Sequence, residues 1–371
     1  MNKVHRIIWD EARGCFVVTH EKAASRGRRS SARRTSVRAI AAAAMALGSG
    51  HALAIVTYCN TGQYTISAGT TSSSSCAIGS GENLVVEGGS PGGAIVTSSV
   101  VAARVLAGTV AGSISNAGRI VATATSAITI SGAIGSITNS GSIGGSGSAV
   151  AVTPGTLTGG LTNSGTLSGS TNALSYGGGT IAGGVTNSGV RTGARGIYAS
   201  SGGIYAATRG TLSGGITNSG TIAGSSYGMS LGTNSSLSGG ITNSGSLSGG
   251  NFGYAILMGT GASVSGGIVN TGRMSVNSAV GGGVLQLGGT VDSISNTGTI
   301  VPEDIGSAVS VTGAVGLIDN AGTMVGASRA GVSVTGTVSG ITNSGLIATT
   351  LAGTATGTIA GIEVGRYPYG T

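Results

Sequence analysis

Beyond residue 54 the chain holds seven carboxylates, Glu82, Glu87, Asp292, Glu303, Asp304, Asp319 and Glu363, and no His, Lys or Trp. His5, His20 and His51, Trp9, Lys3 and Lys22 all precede that point. Residues 55–371 are thereby deprived of Ser-His-Asp and Cys-His catalysis, Lys Schiff-base chemistry and His-containing zinc sites. What remains is acid–base work by a carboxylate pair of the kind that hydrolyses glycosidic bonds. Asp292 and Asp319 fall in neighbouring repeats and Glu303-Asp304 follow Pro302 at an expected corner, so a small acidic cluster competes with the simpler reading of a solvated turn. No Gly-Gly-x-Gly-x-Asp calcium-binding nonapeptide, Arg-Gly-Asp tripeptide or Gly-Lys-Ser/Thr phosphate loop occurs. The expectation is a non-enzymatic protein with no catalytic residue, metal or cofactor.

The elements that position these residues come from an internal repeat. A seven-residue unit, aliphatic-x-Asn-x-Gly-x-aliphatic with Met allowed in the last place, begins at Ile114, Ile137, Leu161, Ile216, Ile241, Ile268, Ile294, Ile318 and Ile341, and a degenerate copy begins at Val185. Its asparagines are Asn116, Asn139, Asn163, Asn187, Asn218, Asn243, Asn270, Asn296, Asn320 and Asn343. Their spacing centres on about 24 residues, the length of one three-sided coil, and predicts an all-β parallel solenoid of about ten rungs. Alternation in segments such as Ser307-Ala308-Val309-Ser310-Val311 signals strands with one buried face. Helix is disfavoured past residue 54, because Gly, Ser, Thr and Val dominate and no apolar stripe of helical period survives.

The asparagines are expected to stack as an amide ladder, a structural role sufficient to explain them without a ligand. Thr138, Thr162, Thr186, Thr217, Thr242 and Thr342, each one residue before the unit's Asn, would form an outward row, either solvated or facing a glycan or ice. Gly-rich corners are expected to absorb steps of three or four residues between the unit and the aliphatic before it, as in Ile134 to Ile137 against Val110 to Ile114. The longest interval, containing Arg191, Arg195, Tyr198, Tyr205 and Arg209, is expected to extrude a loop.

With 74 Gly and 8% charged residues the chain resembles no ordinary enzyme, yet neither collagen nor simple disorder fits, since there are 4 Pro and 39% of residues are hydrophobic. The long uncharged stretches are too diluted with Gly, Ser, Thr and Asn for membrane helices. The formal charge of +8 is concentrated at one end, where residues 1–54 carry ten cations against three carboxylates. Past residue 54 eight Arg face seven acids, so no patch is able to neutralise phosphates and nucleic acid is not a partner.

The basic end reads as an address. Arg33-Arg34-Thr35-Ser36-Val37-Arg38, the apolar Ala39 to Leu47 and then Ala52-Leu53-Ala54 form the charged region, short apolar region and small-residue site of a secretory signal, with cleavage expected after Ala54. In the oxidising compartment beyond, Cys59 and Cys76 are expected to clip a loop of about 17 residues, contributing about 3 kcal/mol. Upstream, Met1-Asn2-Lys3-Val4-His5-Arg6-Ile7-Ile8-Trp9, Gly14-Cys15-Phe16-Val17-Val18 and Ser25-Arg26-Gly27-Arg28-Arg29-Ser30-Ser31 closely resemble the extended signal peptide region of type V secreted proteins of Gram-negative bacteria. That resemblance implies export through the Sec translocon with slowed inner-membrane passage, then an outer-membrane step served by the assembly machinery there.

The repeats in turn resemble the passenger of a classical autotransporter, which implies a right-handed parallel β-helix displayed outside the cell. The expected organisation is a removed signal over residues 1–54, an N-terminal cap over 55–104, β-helix repeats over 105–350 and a last partial rung over 351–371. The aromatic-girdled strands of the family's own outer-membrane barrel are not evident, so a barrel in trans or a truncated product is expected. The leading expectation is a surface or secreted adhesin or autoaggregation factor meeting host glycan, matrix or sister cells. A two-partner exoprotein, a polysaccharide-degrading β-helix and a non-functional truncated autotransporter are the alternatives.

Overall fold

A computed structural model describes residues 5–10, 15–20, 56–58, 62–193, 202–206, 209–251, 253–277, 283–350 and 361–365. The chain divides into two compact units, Met1–Ala52 and Leu53–Thr371. The first contains an antiparallel hairpin of His5–Asp10 and Cys15–His20, in whose register Ile7 lies opposite Val18 and Trp9 opposite Phe16. Two short runs rich in β-branched and aromatic residues, Ile7-Ile8-Trp9 and Phe16-Val17-Val18, carry those strands.

The second unit is a parallel β-solenoid of about 11 turns of ~24 residues, with no helix among the described residues. One turn shows the construction. Ala133–Asn139 lies on a first sheet, here called the asparagine face; Ser142–Gly145 lies on a second and Val150–Val152 on a third, before the chain returns to the first at Thr156–Leu157. Among the described residues the second sheet has 12 strands and the third 13. Each strand pairs with its counterparts one turn away, as Ile128–Ile130 does with Val150–Val152.

The core is narrow and aliphatic because most turns send one or two small apolar side chains inward from each face. Ile114, Ile137, Leu161, Val185, Ile216, Ile241, Ile268, Ile294 and Ile318 stack in register down the asparagine face, all buried. Burying a side chain of this size contributes about 1.5–3 kcal/mol. Repetition of that term along the axis, with the strand hydrogen bonds, holds a domain whose stretch from Gly210 to Gly272 has no charged residue.

The three- and four-residue steps have a defined cause. Five consecutive coils insert one extra residue before the repeat unit, and in each a Gly adopts a left-handed conformation: Gly160, Gly184, Gly215, Gly240 and Gly267, with φ of 80°, 78°, 75°, 73° and 75°. In these coils the strand breaks in two, as in Thr211–Leu212 and Ile216–Asn218, whereas a three-residue step leaves it whole, as in Ala133–Asn139. The step from Val110 to Ile114 does not belong to the four-residue class. Ala111 lies opposite Ile134 and takes the inward place, while Val110 points out and is 67% exposed.

The solenoid begins earlier than the Asn repeat. Gln63–Ile66 and Asn83–Val86 stack beneath Ile114–Asn116 on the asparagine face, and Ala94–Thr97 and Ala103–Val105 continue the other two sheets. The stretch 55–104 thus carries coils of its own, invisible to the repeat because Val86 stands where later coils have Asn. The long interval likewise contains paired strands. Arg191 sits in Val190–Gly193 and Tyr205 in Gly202–Ala206, both paired on either side, so neither belongs to an extruded loop. Arg209 follows with a φ of 65°, and Arg195 and Tyr198 lie outside the described residues. At the other end Ile362–Val364 pairs with Val332–Val334 on the third sheet.

Candidate functional site

On the asparagine face the repeat unit builds two different surfaces from alternate residues. The aliphatic and the Asn point inward, and the residue between them points out. Asn218 is typical. Its Nδ2 donates to Asn243 Oδ1 at 2.7 Å, to the Gly220 carbonyl at 3.3 Å and to the Ser246 carbonyl at 3.0 Å. The same amide-to-amide bond, at 2.7–2.8 Å, runs unbroken from Asn116 to Asn343 and spans even the long interval between Asn187 and Asn218. Asn116 through Asn320 are buried, so these side chains are consumed by the scaffold and offer nothing to a ligand.

The Gly two residues after each Asn completes the corner. Backbone N–H groups of Ser164 and Gly165 both donate to the Asn139 carbonyl, at 2.8 and 3.1 Å, which draws the turns so close that a Cβ on Gly165 would collide with the Gly141 carbonyl. The Asn-x-Gly spacing therefore encodes a tight, self-satisfied turn.

Outward, Thr138, Thr162, Thr186, Thr217 and Thr242 stand directly above one another and are exposed. Ser140, Ser164, Ser188, Ser219 and Ser244, two residues on, form a second exposed column. Successive hydroxyls lie about 4.8 Å apart along the axis, the strand spacing of the sheet. The Thr column continues through Val269, Ser295 and Asp319 to the exposed Thr342, where Thr342 Oγ1 donates to Asp319 Oδ1 at 2.6 Å.

The acids do not come together. Asp292 and Asp319 lie on the asparagine face but in different columns, Asp319 being opposite Ser295 and Asp292 accepting the Gly266 N–H at 2.9 Å. Glu303 and Asp304 lie past the end of Thr299–Pro302, at the corner between the second and third sheets, and Glu303 pairs with Arg273 at 3.3 Å across half-exposed side chains. Glu82 accepts the backbone N–H of Gly79 at 2.6 Å, closing a local turn, and Glu87 accepts that of Ala68, 19 residues earlier, at 3.1 Å. Among the described residues no group of three or more His, Cys, Asp or Glu is placed to hold a metal.

Of the cysteines, Cys76 is disulfide-bonded and buried in Ser75–Ile78, which pairs with Val56–Tyr58 directly before Cys59. Cys59 itself, and Ala52 and Ala54 of the expected cleavage site, lie outside the described residues. One cluster escaped the sequence reading altogether. Tyr227 and Tyr254 are opposite one another on the third sheet and their rings stack, with centroids 6.0 Å apart and an interplanar angle of 3°. Both lie outside the Asn unit, and only the register of unequal coils reveals that they meet.

Residues 1–50 match the family described as the Extended Signal Peptide of Type V secretion system. No curated protein and no solved structure matches the chain. An extended signal peptide followed by a passenger-like β-solenoid fits a type V autotransporter, and the signal directs export across the envelope of a Gram-negative bacterium.

Proposed function

We propose that the exported solenoid is a non-enzymatic adhesin or autoaggregation factor, displayed at the surface or released, that meets host glycan, matrix or sister cells through its hydroxyl-bearing face. On this reading the Sec translocon and the outer-membrane assembly machinery are its partners only during export. One observation carries the proposal. Five consecutive turns present Thr and Ser in exposed, in-register columns that themselves hold no charged residue, beside a buried ladder that fixes their spacing. A stiff, repetitive, uncharged surface suits many weak contacts in parallel, where multivalency supplies the avidity. The dispersed carboxylates, among them Asp292 on a backbone N–H, Asp319 on a Thr hydroxyl and Glu303 on Arg273, give a hydrolase reading much less to work with.

The experiment is expression in a non-aggregating Gram-negative host, with protease accessibility of residues 105–350 on intact cells followed by a settling assay. Digestion from outside together with faster settling, lost when Thr162, Thr186, Thr217 and Thr242 are changed to Lys, is the expected result. External digestion without any settling or surface binding would overturn the adhesive role. Release of sugars from a polysaccharide by the wild type, but not by Asp292→Asn or Asp304→Asn, would replace it with the enzymatic reading.

A further inference from the structure

The antiparallel hairpin of His5–Asp10 and Cys15–His20 divides its residues unequally between two faces. Residues directly opposite one another in such a pair share a face, and the faces alternate along each strand. One face therefore carries Ile7 opposite Val18 and Trp9 opposite Phe16, with His5 and His20 at the open end. The other carries Ile8 opposite Val17, set between Arg6 and Thr19 at one end and Asp10 and Cys15 at the other. The two strands make a sheet of their own, and among the described residues of Met1–Ala52 there is no third element to cover either face. An isolated two-stranded hairpin is at best marginally stable in water and needs its apolar face packed against something.

The charge that follows the hairpin points to the chemistry of that surface. Between it and the apolar Ala39 to Leu47, residues 21–38 carry seven cations against one carboxylate, Glu21. A chain with this export signal begins on the cytoplasmic side of the inner membrane, and an anionic cytoplasmic leaflet attracts such basic runs within a Debye length. Trp and Phe suit the headgroup level of a bilayer, where an aromatic body meets lipid and a polar edge meets water. Strands of six residues are too short to span the hydrocarbon, so the hairpin lies on the surface and does not cross it.

We propose that, before the signal is cleaved, the hairpin docks on the anionic phospholipid surface of the inner membrane through the face of Ile7, Trp9, Phe16 and Val18, while the cations of residues 21–38 meet the lipid phosphates. Neither contact is strong by itself, but a small apolar face and a polybasic run together make a stable surface anchor. The anchor holds the precursor at the membrane with Ala39 to Leu47 close to where that segment must enter. The inference concerns the precursor alone and is independent of what the solenoid meets after export.

Trp9 is the only Trp in the chain, so its fluorescence reports on the hairpin within the full unprocessed protein. The probes are vesicles of phosphatidylglycerol and phosphatidylethanolamine, with phosphatidylcholine vesicles as the neutral control, and co-sedimentation is followed in parallel. With the anionic vesicles the Trp9 emission is expected to shift to the blue and to resist quenching by acrylamide, and about 0.5 M sodium chloride should reverse both effects. Phe16→Asp and Thr19→Asp add the same charge to opposite faces, so the first should abolish the shift and the second should keep it. Co-sedimentation without a Trp9 shift would mean that Ala39 to Leu47 alone binds lipid, and would overturn the proposal. So would an equal shift with neutral vesicles, an equal response of the two Asp variants, or an emission already blue before vesicles are added, which would mean that protein covers the face.

Discussion

Val86 lies directly opposite Asn116 in the asparagine sheet, and Asn116 Oδ1 is buried there without a donor. The amide ladder thus starts on an unmet acceptor, while every later Oδ1 receives an N–H from the coil before it. This polarity predicts unequal costs for the same substitution. Asn116→Val removes one orphan and creates another at Asn139, for a net change of about 1 kcal/mol or less. Asn218→Val leaves Asn243 Oδ1 unmet and takes the acceptor from Asn187 Nδ2 with no such exchange, costing about 2–4 kcal/mol. Urea unfolding of the two variants checks the difference, and equal midpoints would show that the ladder does not contribute bond by bond.

The glycines of the repeat are expected to differ as sharply. Gly165→Ala places a Cβ against the Gly141 carbonyl between turns that cannot separate without breaking the ladder, so a loss of about 3 kcal/mol or more is expected. Gly178 has a φ of 67° but open space about it, so Gly178→Ala should cost only the strain of its backbone conformation, about 1 kcal/mol. Thermal unfolding midpoints of the two variants decide the order, and a larger loss at Gly178 would contradict the close approach of the turns.

Most of this architecture is legible because its physics sits in single residue types at fixed spacing. An Asn that must bond its neighbour, a Gly that must admit a carbonyl and an aliphatic that must face the axis recur together, and that recurrence is the fold. Where the chemistry is met by other residues the signal vanishes. The coils of Gln63–Ile66 and Asn83–Val86 stack as well as any other, but with Ile66 and Val86 at the ladder position they carry no repeat. Val110 misleads because an apolar residue may face outward at little cost, while the smaller Ala111 fills the core. The Tyr227–Tyr254 pair is set by register alone, and register follows only once each coil's inserted residue is known.

Electrostatics should matter little to stability. The Arg273–Glu303 pair has side chains 48% and 52% exposed, and such pairs are worth under about 1 kcal/mol after screening. Glu303→Gln is therefore expected to shift the unfolding midpoint by no more than about 2 °C in so large a domain. Raising sodium chloride to about 0.5 M, where exposed pairs are screened, should leave the wild type equally unmoved. A marked loss of stability in salt would point to an ionic contribution that the sparse charges do not suggest.

The opposite holds for one buried phenol. Tyr176 is the largest side chain fully enclosed in the core, and its hydroxyl has no hydrogen-bond partner. Burial holds its pKa well above the ordinary 10.0, because an anion cannot be solvated there. Below that ordinary value both folded and unfolded chains keep the proton and the group adds no pH dependence. Once the pH exceeds it, the unfolded chain ionises while the folded one cannot, so stability falls by about 1.4 kcal/mol for each further pH unit until the folded value is reached. Tyr176→Phe removes the unmet hydroxyl and that alkaline slope together. It is expected to raise stability by about 1 kcal/mol at neutral pH, provided the ring keeps its packing against Gly210, and by more above pH 10. Denaturant unfolding at pH 7 and near pH 11 measures both effects, and an unchanged difference between wild type and variant at the two pH values would mean that the phenol finds solvent in the folded chain.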